Sequence, residues 1–193
     1  METIVIDNII PTEVADRIQE TILGSGFPWH LNQFTTCQSD YEFGVDHKQF
    51  THNFYWDGVV FSDWFDDIIP TLMQAIPKQN VQLLRAKSNL VVPQPKGREL
   101  EFGAPHVDDL GHEAPEFAVC LYYVNDSDGD TVIYNEKAGD SVPKSFSIKQ
   151  TISPKKGRMV LFDGKHYHSG GVPELASERC VVNINFCFGG GND

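Results

Sequence analysis

The stretch RCVVNINFCF, residues 179–188, constrains this chain more than any other. Its even positions, Cys180, Val182, Ile184, Phe186 and Phe188, are all apolar, while Arg179, Asn183 and Asn185 share the odd set with Val181 and Cys187. Side chains alternate across a strand, so the pattern is that of a β-strand with one face in a core and one polar face. The polar face either meets water, as in a half-buried antiparallel sheet, or lines the polar mouth of a barrel.

From Val81 onward the chain carries further runs of this kind, punctuated by Gly, Pro, Asn and Asp: VQLLRAKSNLVV, EFAVCLYYVN, DTVIYNE, SFSIKQTI and RMVLFDG. The first third reads differently. After IVIDNII, the segment PTEVADRIQETILGSG spaces Val14, Ile18 and Ile22 by helical turns and stops at Gly24 and Gly26. SDWFDDIIPTLMQAIP is a second helix with Ser62 as N-cap and a broad apolar face through Ile68, Ile69 and Leu72; Pro70 is expected to kink or split it. Helices followed by six or more strands give an α+β protein, a β-sandwich or barrel buttressed by helices. No repeat, low-complexity tract or linker divides the 193 residues, so one domain is expected.

The formal net charge of −12 argues against a nucleic-acid face or an anionic membrane surface. No run approaches the roughly 18 apolar residues of a membrane span, and METIVIDNIIPTEV lacks the basic and apolar regions of a signal peptide. Cys37, Cys120, Cys180 and Cys187 show no CxxC spacing and read as reduced thiols of a cytoplasmic protein. GxSxG, GxxxxGK[ST] and HExxH motifs are all missing.

APHVDDLGH puts His106 and Asp108 two residues apart, on one face of an extended backbone, where an imidazole and a carboxylate reach one ion. Asp109 falls on the other face, and His112 is a less regular alternative. A third ligand is available in FDGKHYHSGGVPELASER, where His166 and His168 have the same strand parity, so periodicity does not choose between them. His168 opens an HSGG turn whose glycines allow close backbone approach. Two histidines and a carboxylate form the facial triad of non-haem Fe(II). Zinc is the rival metal, but it gives no reason for an arginine nearby. Arg179, whose fork matches a carboxylate, implies a carboxylate-bearing small molecule beside the ion.

With HVD at 106–108, YYVNDSDGDTVIY at 122–134 and KKGRMVLFDGKHYHSGGVPELASER at 155–179, the chain resembles the Fe(II)/2-oxoglutarate-dependent oxygenases, in their prolyl 4-hydroxylase-like branch. The resemblance spans roughly residues 81–188 and implies a double-stranded β-helix (jelly-roll) core over 81–193, buttressed by helices within 1–80. It implies His106, Asp108 and His168 as iron ligands, His168 being preferred for its distance from the arginine, with His166 as a neighbour. Arg179 would bind the distal carboxylate of 2-oxoglutarate, helped by Tyr123 and with Thr131 lining the same pocket. Asn185 and Asn89 are further cosubstrate-shell positions, although relatives often carry a tyrosine at about the place of Val91.

The cofactors implied are Fe(II), 2-oxoglutarate as cosubstrate, and O2, with ascorbate as reductant. The reaction implied hydroxylates an unactivated C–H bond and yields succinate and CO2. The branch points to a prolyl residue of a peptide or protein; a free amino acid or other small molecule is the alternative. Residues 30–56 and 93–105 read as irregular loops able to cover a barrel mouth. The competing readings are a non-catalytic jelly-roll binding module and a zinc-dependent cupin-like enzyme. Oligomeric state is not encoded legibly.

Overall fold

A computed structural model of the chain describes residues 1–33, 48–78, 80–94, 102–108, 110, 116–139 and 143–188. In chain order the elements are β1 (Ile4–Ile6), α1 (Thr12–Ile22), β2 (His30–Asn32), β3 (Gln49–Trp56), β4 (Val59–Val60) and α2 (Phe65–Ala75), followed by β5 (Val81–Val91), β6 (Phe117–Tyr123), β7 (Thr131–Lys137), β8 (Ile148–Ile152), β9 (Met159–Asp163), β10 (His166–Gly170) and β11 (Arg179–Phe188).

Two antiparallel sheets result. The larger, of eight strands, runs β1-β9-β6-β11-β5-β3-β2 with β4 paired to β3; the smaller runs β10-β7-β8. Val119, Leu121, Tyr123, Val160, Phe162 and Val181 of the large sheet pack on Ile133 and Ile152 of the small one. On the large sheet's other face, Ile18 and Ile22 of α1 and Ile68, Ile69 and Leu72 of α2 cover Cys120, Tyr122, Val182, Ile184 and Phe186. Burying each such aliphatic side chain contributes about 2 kcal/mol. This is a jelly-roll core with helices on its outer face, the α+β architecture expected.

The alternation in β11 holds to the residue. Cys180, Val182, Ile184 and Phe186 face the helices, and Arg179, Asn183 and Asn185 face the interior between the sheets, all three buried. Of the two destinations open to that polar face, the structure selects the interior.

Several elements differ from expectation. Residues 49–56, within the segment read as an irregular loop, form β3, which pairs β5 along its length. Thr51, His52 and Asn53 hide the strand, and its partner lies about 35 positions away in sequence, so β-propensity alone does not reveal it. The first 80 residues thus supply four strands as well as the helices.

Pro70 does not split α2, which runs unbroken through it. The missing N–H would have bonded the carbonyl of Asp66, an exposed residue whose oxygen water can serve. Ser62 lies one residue before the Trp64 N-cap position's own neighbour, and its hydroxyl accepts the Trp64 N–H at 3.1 Å rather than capping the helix directly. The HSGG segment is not a turn: His168, Ser169 and Gly170 belong to β10.

Cys120, Cys180 and Cys187 are buried free thiols. No described helix is long and apolar enough to cross a membrane. Cys37, Asp109, His112 and the central parts of both proposed lid segments lie outside the described residues.

Candidate metal centre and anion pocket

His106 sits on a short extended segment laid along the open edge of β10. Its N–H donates to the His168 carbonyl at 3.0 Å, and the His168 N–H donates back to the His106 carbonyl at 2.8 Å. This reciprocal pair places the two imidazoles with ring centroids 4.5 Å apart. With Asp108 two residues on, the potential ligand atoms of His106, Asp108 and His168 lie within 4.8 Å of one another.

The Nδ1 of His106 meets the Ala104 carbonyl at 3.0 Å and that of His168 the His166 carbonyl at 3.3 Å. A carbonyl only accepts, so both Nδ1 atoms carry the proton, leaving each Nε2 lone pair for an ion.

His166 is turned elsewhere. Its Nδ1 donates to the Tyr134 carbonyl at 2.8 Å, and its Nε2 accepts from Lys149 Nζ at 3.0 Å. The β10–β7 register shifts between His166 and His168, so two residues of equal parity point to different places.

Asp108 is buried in a polar cage. Its Oδ1 accepts from Arg85 Nη2 at 2.5 Å; its Oδ2 accepts from Asn183 Nδ2 at 3.0 Å and Asn185 Nδ2 at 2.8 Å. Arg85 Nε also donates to Asn185 Oδ1 at 2.9 Å. Burial by itself pushes the Asp108 carboxyl up, but the surrounding charge, that of the Arg85 guanidinium foremost, outweighs it and holds the group well below the usual carboxylate range. Burial lowers His106, and lowers His168 to about 4, so both imidazoles stay neutral and able to ligate near neutrality.

One cavity joins this cluster to Arg179; His106, His168, Asn183, Asn89, Thr131 and Arg179 all line it. Arg179 is only 4% exposed. Its Nε donates to the Gly129 carbonyl and its Nη2 to Thr131 Oγ1, both at 2.7 Å, and the Tyr123 hydroxyl donates to the same Thr131 oxygen at 2.7 Å. A Cβ on Gly170 would lie 3.1 Å from Arg179 Nη1, so the glycine keeps the guanidinium clear. Among the described residues no carboxylate pairs with Arg179. A buried guanidinium without a counter-ion is costly, and burial lowers its proton affinity, so the site suits an anion brought from outside.

The sequence-derived residues divide accordingly. His106, Asp108 and His168 converge; Arg179 and Thr131 form the cationic end; Tyr123 reaches Arg179 through Thr131 and through a ring contact at 6.0 Å. Asn89 lines the cavity with its Oδ1 buried and unpartnered, beside Val91. Asn185 does not line it, its amide being engaged by Asp108 and Arg85. Sequence reasoning missed Arg85 and gave Asn183 no task. The signal was present in β5, where Arg85, Lys87 and Asn89 alternate with Ala86, Ser88 and Leu90. Two imidazoles and a carboxylate, beside a buried guanidinium that no described carboxylate pairs, fit a ferrous ion together with a carboxylate-bearing small molecule.

The family model for the 2OG-Fe(II) oxygenase superfamily matches residues 97–187. Comparison with curated proteins finds no match. Among solved structures, an oxidoreductase of the 2OG-Fe(II) oxygenase family from Burkholderia pseudomallei superposes with a TM-score of 0.64 at 14% identity, over 95% of this chain and 84% of that one. The non-haem α-ketoglutarate-dependent epimerase SnoN from nogalamycin biosynthesis gives 0.63 at 10% identity, over 96% and 78%. A Trichoplax adhaerens prolyl hydroxylase, solved with a hypoxia inducible factor oxygen degradation domain peptide fragment, gives 0.58 at 14% identity, over 95% and 82%. At these identities the structural likeness is one of fold. The family match covers every residue of the His106–Asp108–His168 cluster and Arg179, so over residues 97–187 the chain is similar to the 2OG-Fe(II) oxygenase superfamily.

Proposed function

We propose that this protein is an Fe(II)- and 2-oxoglutarate-dependent dioxygenase that hydroxylates an unactivated C–H bond, with His106, Asp108 and His168 as iron ligands. The observation that carries the reading is Arg179, a buried cation lacking a carboxylate partner among the described residues and sharing a cavity with the two histidines. A zinc-dependent cupin-like site gives that guanidinium no task.

Ferrous iron, with 2-oxoglutarate and oxygen, supplies the C–H-oxidising chemistry when bound. The chain's own work is to bind and to orient. Arg179 pairs with the distal carboxylate of the cosubstrate, and Thr131 and Tyr123 fix the plane of its fork. Asn89 has an unpartnered side-chain oxygen on the same wall. The neutral histidines and ionised Asp108 present one negative charge and two lone pairs, so no proton has to leave before metal enters. No acid–base pair is required of the protein.

For the substrate, the prolyl residue of a peptide or protein is the reading we favour, in a cytoplasmic setting. The Trichoplax adhaerens neighbour with its peptide supports it; the SnoN epimerase favours a small molecule as the alternative on the same fold. An anaerobic titration tests the metal and cosubstrate sites: a weak visible charge-transfer band should need both Fe(II) and 2-oxoglutarate. His168→Ala should abolish the band and His166→Ala should keep it. Loss in His166→Ala alone would move the ligand to that position. Consumption of 2-oxoglutarate against prolyl peptides and small molecules then separates the two substrate classes.

A further inference from the structure

Arg85 occupies an unusual place in the large sheet. On β5 its directly opposite neighbours are Trp56 on β3 and Asn185 on β11, and both strands shift register next to it, between Asn53 and Tyr55 and between Asn185 and Phe186. Register irregularities of this kind re-aim a side chain. Both neighbours grip Arg85: its Cζ lies 5.4 Å from the Trp56 ring, and its Nε donates to Asn185 Oδ1 at 2.9 Å. The guanidinium is therefore held on two sides before it reaches Asp108 at 2.5 Å.

The count of donors around Asp108 carries the argument further. A carboxylate has about four lone-pair positions. Three donors meet this one: Arg85 Nη2 on Oδ1, Asn185 Nδ2 on Oδ2, and Asn183 Nδ2 lying between both oxygens at 3.3 and 3.0 Å. Both oxygens are therefore held, by four hydrogen bonds among the described residues. Arg85, Asn183 and Asn185 are all buried, so none is free to swing away.

Resting on the metal site proposed above, we infer that Arg85 is its positioning residue. The doubly anchored fork holds the Asp108 carboxylate in one orientation toward the ion. By charge alone Arg85 would repel a divalent cation, and its removal would tighten binding. By positioning, its removal loosens binding. The two effects have opposite signs.

The experiment is a titration of the full chain with Mn(II), followed by electron paramagnetic resonance, in the wild type, Arg85→Lys and Arg85→Met. Loss of an outer partner of a metal ligand typically costs 10–100-fold in affinity, and about that is expected for Arg85→Met. Arg85→Lys keeps the charge but loses the fork and its bond to Asn185, so it too should weaken Mn(II) and broaden its signal. Unchanged or tighter binding in Arg85→Met overturns the inference. So does wild-type binding in Arg85→Lys, which would make Arg85 a counter-charge only. If Arg85→Met fails to fold, Arg85→Lys decides alone. Failure of the wild type itself to bind Mn(II) overturns the metal site, whereas equal binding in all folded forms overturns only the role of Arg85.

Discussion

His106 and His168 lock to each other through their backbones, each N–H donating to the other's carbonyl, at 3.0 and 2.8 Å. Their imidazoles are therefore placed by the pairing of main chain with main chain. Among the described residues, the Asp108 carboxylate is held by the side chains of Arg85, Asn183 and Asn185. The cluster has a rigid histidine side and a carboxylate side that depends on three separate residues.

Gly170→Ala tests the cationic end of the cavity. The added Cβ would sit 3.1 Å from Arg179 Nη1 and 3.2 Å from Cζ, close enough to displace the fork. Affinity for 2-oxoglutarate should fall about tenfold, equivalent to about 1.4 kcal/mol. Mn(II) affinity should not change. Calorimetry of each ligand reads the two effects apart, and a loss of metal binding instead would assign Gly170 to the other end.

Thr131→Val keeps the shape and removes the hydroxyl that serves both Arg179 and Tyr123. Two buried donors lose their acceptor, so the protein should lose about 2–4 kcal/mol of stability. Tyr123→Phe removes a single donor and leaves no group unpaired on the ring, and should cost about 1 kcal/mol. Urea unfolding of the two variants checks the order; equal losses would refute it.

The metal-free protein should lose stability in mild acid through His168. Burial lowers its folded pKa to about 4, from 6.5 for the free side chain. Between those values the unfolded chain binds a proton that the folded one does not. Stability therefore rises with pH across that window and is level in this respect above it, the total being on the order of 3 kcal/mol. The urea midpoint of the metal-free protein should fall between about pH 6.5 and about pH 4, and His168→Ala should flatten part of that slope. An identical slope in the variant would show that the proton goes elsewhere.

Phe186→Ala, on the helix-facing side of β11, opens a cavity in the core shared with α1 and α2. It should cost about 3–5 kcal/mol. Affinity for Mn(II) in the protein that remains folded should stay as in the wild type, because Asn185 and Asn183 point to the opposite face. A parallel loss of metal binding would mean that the two faces of the strand are coupled.

The residues themselves determined much of this. Alternation in 179–188 gave a two-faced strand, HVD put an imidazole and a carboxylate on one face, and the charge argued against a broad nucleic-acid surface. These are local properties, set by the period of a strand and by the chemistry of single side chains. Tertiary structure alone decided the rest. It selected the interior for Asn183 and Asn185, made a strand of 49–56, and carried α2 unbroken through Pro70. It also separated His168 from His166 and brought Arg85 to Asp108. Each of those outcomes depends on register between segments distant in sequence, and register is fixed by the whole pairing of a sheet, irregularities included, not by any one segment within it.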